Sequence, residues 1–149
     1  MPLRIGTPMP DLKGVTGWLN GEPDWEALQG NPVLVHFWSV SCHLCHENMP
    51  KVNQWRDLYA PVGLKVIAIH MPRAEWETDV ETVRQKALEL GIAQPCGIDN
   101  LHRVAEAFEN QWVPAYYLFD RDGNLRGRTA GYAGLTMLEN ALKRLFETQ

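Results

Sequence analysis

The sequence is poor in cysteine, with three among 149 residues. So small and odd a number excludes a disulfide scaffold and leaves one thiol unpaired. Long apolar runs are missing as well, since no stretch approaches the roughly 20 residues that a membrane-spanning helix needs. Neither sign of charge dominates, and a net charge of −4 gives no reason to expect nucleic acid or an anionic membrane as a partner. The start, Met1 to Gly6, has no apolar segment of the secretory kind, which makes the cytoplasm the expected compartment. Repeats, linkers and low-complexity stretches are absent from the chain. What remains is ordinary for a globular protein: 45% hydrophobic and 21% charged, enough to bury a core without staples. The expectation is one domain over residues 1–149, acting as a monomer.

The most informative stretch is 33–50. Val33 to Trp38 is apolar or aromatic except for His36, the pattern of a strand buried on both faces. It runs through Ser39 and Ser41 into Cys42 and Cys45, spaced for the first turn of a helix that extends to about Tyr59 with Pro50 inside it. A helix start offers unpaired N–H groups and a positive dipole end, both of which favour a thiolate. Cys42 is therefore the better placed and more exposed sulfur, and Cys45, one turn on, can close a disulfide with it. Strand, turn, Cys-x-x-Cys and helix is what a dithiol–disulfide exchanger needs.

Phe37-Trp38-Ser39-Val40-Ser41-Cys42-His43-Leu44-Cys45, with Pro50 further on, resembles the active-site segment of thioredoxin-like proteins. Trp112-Val113-Pro114-Ala115-Tyr116 resembles the family's strand that begins with a cis-proline, and Ile5-Gly6-Thr7-Pro8 resembles the N-terminal extension of the TlpA-like and peroxiredoxin branches. The resemblance covers nearly the whole chain. It implies an α/β thioredoxin fold of three layers, with a mixed central sheet, an N-terminal extension and a central helix–strand insertion. It also implies a TlpA-like or ResA-like thiol–disulfide oxidoreductase, in which Cys42 attacks, Cys45 resolves, and the backbone beside Val113 and Pro114 receives an extended substrate. Such an enzyme needs no cofactor or metal; its partners are protein disulfides and dithiols and a protein that recharges the pair, and the expected direction is reduction.

Departures from the family pattern are specific. His36 stands where thioredoxins carry a buried acid that moves a proton for the second cysteine. A histidine can exchange a proton near neutral pH, which makes it a catalytic candidate, although a hydrogen-bonded core histidine is the commoner thing on a strand. Asn48 stands where some TlpA-like reductases carry a glutamate, and Glu47, turned about 100° around the helix, is no substitute. His43-Leu44 replaces Gly-Pro; a protonated His43 beside the helix start would stabilise the Cys42 thiolate, and both residues are candidates for substrate contact. Trp38 keeps the family's earlier aromatic and is both a core and a substrate-binding candidate. Ser41 replaces a tryptophan, which opens the site. Cys96 reads as a small buried residue or as a further thiol.

Rival readings of the same letters are a zinc half-site, disfavoured because no second cysteine pair is present, and a c-type haem attachment from Cys42-x-x-Cys45-His46, which explains neither strand. A thiol peroxidase would place proline at Val35, four before Ser39. A non-catalytic binding module would have no use for both cysteines.

Along the rest of the chain, Asn20-Gly21 predicts a small hairpin between Trp18-Leu19 and Glu22-Pro23, and Asp24 a cap for a short turn. Residues 64–71 read as a second parallel strand. Trp76, Val80, Val83, Ala87, Leu88 and Leu90 read as one helical face ending at Gly91. A short strand at 96–98, a short helix at 101–108, a hairpin over Asp122-Gly123 and a final helix at 135–146 complete the expectation.

Overall fold

The computed structural model describes residues 3–131 and 134–147. In chain order the elements are β1 (Gly17–Leu19), α1 (Trp25–Leu28), β2 (Val33–Trp38), α2 (His43–Tyr59), β3 (Lys65–His70), α3 (Val80–Glu89), β4 (Cys96–Ile98), α4 (Arg103–Ala107), β5 (Ala115–Phe119), β6 (Leu125–Ala130) and α5 (Gly134–Glu147). They build one six-stranded sheet in the order β1-β4-β3-β2-β5-β6. β2 lies in the middle, parallel to β3 and antiparallel to β5.

All six residues of β2 are buried because both faces of the sheet are covered. Alternation then sorts the side chains. Leu34 and Trp38 join Val66, Ala68, Tyr116 and Leu118 beneath α2, α3 and α5. Val33, Val35 and Phe37 join Ile67, Ile69, Tyr117 and Phe119 against Val104, Ala105 and Phe108 of α4 and its end, with Trp25 and Leu28 of α1 alongside. The result is the three-layer α/β/α arrangement of the thioredoxin fold.

Two local expectations fail. Asn20 and Gly21 both take positive φ, as a tight turn requires, but β1 does not pair with Glu22-Pro23. It pairs antiparallel with β4, Trp18 opposite Gly97. Pro23 lacks the N–H that a ladder needs, whereas β4 offers an open edge, and the Asn20 amide fastens the turn there by donating to the carbonyls of Ile92 and Gln94. Gly97 makes the approach possible, because a Cβ there would lie 2.8 Å from Val15 Cγ1. The apolar residues between 72 and 91 are likewise not one face. Trp76 belongs to a separate 3-10 turn, Glu75–Thr78, and Val80 and Leu88 are exposed while Val83 and Ala87 are buried. Asp79 restarts the helix as its cap, accepting from the Thr82 N–H, and thereby resets the phase.

Candidate active site

Parallel pairing puts the ends of β2, β3 and β4 at one edge of the sheet: Trp38 is opposite His70, and His70 opposite Ile98. Antiparallel β5 begins at that edge, Ala115 opposite Phe37. Cys42 lies just beyond β2 as the N-cap of the 17-residue helix α2. Its sulfur is bonded to that of Cys45, with the two Cα atoms 5.2 Å apart. The Cys42 Sγ also accepts from the Cys45 N–H at 3.1 Å, so the sulfur occupies the position of a capping oxygen and faces the positive end of the helix. Cys42 is the more exposed of the two, as expected, but both are buried, Cys42 at 3% exposed and Cys45 at 1%. The cap draws the disulfide inward against the core that Leu44 and Val113 flank.

Trp112, Val113 and Pro114 lead into β5 at the same edge. The Val113–Pro114 bond is cis, Pro114 is buried and Val113 half-buried. The carbonyl of Pro114 accepts from the Gly131 N–H at 3.0 Å, and that of Trp112 accepts from the Asn110 amide at 2.8 Å. The Trp112 ring itself stands 68% exposed. Inside, the buried Asn48 amide donates to the Tyr116 hydroxyl at 3.2 Å, and burial, with that bond opposing it, pushes the Tyr116 phenol up to about 12.

The loop that presents Cys42 is held from behind. The Val40 N–H donates to His70 Nε2 at 3.2 Å and the Ser41 N–H to Glu77 Oε1 at 2.9 Å. Glu77 is fully buried, and its other oxygen accepts from the N–H groups of Arg73 and Ala74 at 2.9 and 3.0 Å. Burial raises its pKa, but the hydrogen bonds from Ser41 and Arg73 together outweigh it and hold the carboxyl below its usual range. His70 is pushed down to about 4 by burial against the opposing pull of Glu77. It is thus neutral at pH 7, and its 4.0 Å approach to Glu77 is not an ion pair. Nothing in the sequence marks Glu77 as buried, because it sits in a polar stretch without periodicity; the one hint is His70 at the end of an otherwise apolar strand.

The other candidate residues are placed as follows. His36 is buried on β2, with Nε2 2.9 Å from the Gln94 amide nitrogen. Burial, and then the charge of Arg56, push it down to about 3, so the ring is neutral at pH 7. Gln94 in turn accepts from Arg56 at 2.7 Å, and this chain of bonds leads away from the sulfurs. Trp38 is wholly buried and edge-on to His70; it is core and does not reach a substrate, because even residues of the central strand point into the α2 layer. His43 stands in solvent, 3.0 Å from Glu47 one turn along. Cys96 is buried and free, and burial pushes its thiol up to about 12. Among the described residues no group of three or more His, Cys, Asp or Glu could hold a metal ion.

Comparison with known proteins agrees with this geometry. The chain is 48% identical to the thiol-disulfide oxidoreductase YkuV of Bacillus subtilis, over 99% of this chain and 100% of the relative. A thioredoxin-like protein whose solution structure was determined in the oxidized form superimposes with a TM-score of 0.89 at 47% identity, covering 99% of each chain. The fold alone is shared with a thiol-disulfide isomerase from Corynebacterium glutamicum, TM-score 0.81 at 22% identity, over 93% of this chain and 95% of the other. With residues 5–128 matching its family model, the chain belongs to the AhpC/TSA family.

Proposed function

We propose that the protein reduces disulfides in partner proteins through Cys42 and Cys45. It is a thiol–disulfide oxidoreductase, and the observation that carries the reading is the Cys42–Cys45 disulfide on the N-cap of α2. In the reduced protein the Cys42 thiolate attacks one sulfur of a partner disulfide and expels the other as a thiolate. Cys45 then attacks the Cys42 sulfur of the mixed disulfide, which releases the second partner thiolate and leaves the disulfide seen here. Two electrons pass to the partner, and a dithiol protein returns them. No bound cofactor enters the cycle.

Val113 and Pro114 supply the main chain against which an extended partner segment lies, and His43 and Leu44 border it from the helix start. Asn48 and the Tyr116 hydroxyl, linked to each other inside the site, take the place of a titrating acid, so proton transfer for Cys45 falls to solvent rather than to His36. The working form is a monomer in the cytoplasm, where a dithiol is kept reduced.

The test is the Cys45→Ser variant. It should accumulate mixed disulfides through Cys42 with protein substrates, and the parent pair should show a two-electron transition below about −200 mV. Absence of any such transition overturns the exchange reading. Consumption of hydrogen peroxide by Cys45→Ser at the rate of a dedicated peroxidase would instead assign the thiol peroxidase reading.

A further inference from the structure

Behind the nucleophile, the segment following β3 brings one buried anion and one exposed cation to the same residue. The Ser41 N–H is taken by the Glu77 carboxylate at 2.9 Å. The Ser41 hydroxyl oxygen accepts from Nε and Nη2 of Arg73 at 3.2 and 3.0 Å. Ser41 immediately precedes Cys42, and consecutive Cα atoms are about 3.8 Å apart. Both charges are therefore held on Ser41, the residue next to the one that carries the sulfur. Glu77 is locked by three main-chain donors, and the Arg73 guanidinium lies in solvent-facing surface beside the site.

We propose that Glu77 and Arg73 are positioning residues that set the stability of the Cys42 thiolate in opposite directions, the buried carboxylate disfavouring it and the guanidinium favouring it, with Ser41 holding both in register. The proposal rests on the reading of Cys42 as the exchanging sulfur. The remaining titratable groups around Cys42 are poor substitutes. From α2 come His43 and Glu47, exposed and paired with each other, and His46, whose pKa is lowered first by burial and then by Lys86. From β3 comes His70, neutral near pH 7. Trp112, Val113 and Pro114 bring no charge, and Tyr116 behind them stays protonated. Among the described residues, Glu77 and Arg73 are the charged side chains bonded directly to Ser41. Their balance sets the poise of the pair, because whatever stabilises the thiolate stabilises the reduced state and makes the disulfide more oxidising.

The experiment measures the Cys42 pKa from the pH dependence of alkylation in a Cys45→Ser background, where Cys96 stays silent because it is buried and its thiol is pushed up to about 12. Glu77→Gln should lower the Cys42 pKa, and Arg73→Gln should raise it, each by roughly half a unit to one unit. Ser41→Ala frees the guanidinium and should reproduce part of the Arg73→Gln shift. With both cysteines present and the pH above the thiol pKa, Glu77→Gln should make the potential less negative and Arg73→Gln more negative, at about 30 mV per tenfold change in the exchange equilibrium.

Melting temperature is read alongside. A purely structural role would lower it and leave the pKa in place, or move both variants the same way; either result overturns the proposal. If Glu77→Gln does not fold, Arg73→Gln decides alone, because its side chain is exposed, and a pKa within about 0.2 of the parent overturns the assignment. Failure of the exchange reading looks different, since the unmodified pair would then show no two-electron transition whatever the Cys42 pKa.

Discussion

His36 and His70 lie on neighbouring central strands, and both are kept neutral by burial, at about 3 and about 4. In the unfolded chain each returns to 6.5 and takes up a proton below it. The folded pKa values are depressed, so the stability this confers is fully present above about 6.5. It is lost as the pH falls toward 4 for His70 and toward 3 for His36. Each ring should steepen the loss by up to about 1.4 kcal/mol per pH unit. Urea midpoints measured between about pH 7 and pH 5 should fall accordingly, and glutamine at either position, which still accepts a hydrogen bond, should flatten the slope. A midpoint indifferent to pH over that window would mean that the rings are not buried as described. Asn48 and Tyr116 give a second residue-scale expectation. Tyr116→Phe removes the partner of a buried amide, at a cost of about 1–3 kcal/mol in equilibrium unfolding.

Among the elements, α4 depends most on one side chain. It has only five residues, too short to be stable alone. Within its first turn, the N–H groups of Val104 and Ala105 donate to the two oxygens of the buried Asp99 at 3.0 and 2.8 Å. Asp99→Ala should therefore cost about 1–3 kcal/mol and release hydrogen-exchange protection in α4 before the central strands. β1 is the other vulnerable element. Gly97→Ala would press a methyl against Val15, Ile69 and Trp18, and the expected loss of about 1–3 kcal/mol should come with weakened protection of β1 specifically. The elements themselves were legible wherever apolar content was continuous, as in Val33–Trp38 and Lys65–His70, or where a cap was written locally, as in Asp24. They were illegible where the decisive contact was distant. Asn20-Gly21 carries a true turn signal, yet its strand finds a partner some 80 residues away. Trp76 keeps helical spacing with Val80, yet the cap at Asp79 separates them.

For the molecule as a whole, the redox state of one bond should be felt throughout the fold. If the pair is a reductant, its disulfide is harder to reduce when folded than when unfolded, and linkage then requires the oxidised protein to melt at a higher temperature than the reduced one. The opposite order would mark an oxidant, whose reduced form is the stabilised one. The general plan of the molecule and its Cys42–Cys45 pair could be read from the chain because Cys-x-x-Cys is a local pattern with a local structural context. The support beneath them could not. Glu77 and Arg73 reach Ser41 across 36 and 32 positions, and Gln94 reaches His36 across 58. No window of sequence contains both ends of such a bond.

The central position of β2 has a consequence for how the protein is made. Val33 pairs with Phe119, and Cys42 precedes Pro114 by more than seventy positions. Synthesis proceeds at about 5–20 residues per second, so Cys42 and Cys45 leave the ribosome several seconds before the strand that will flank them exists. During that interval they are an ordinary pair of thiols on an unfinished chain, without the β5 wall or the Val113–Pro114 corner. The nascent enzyme is thus itself a client of the surrounding thiol chemistry before it can take part in it.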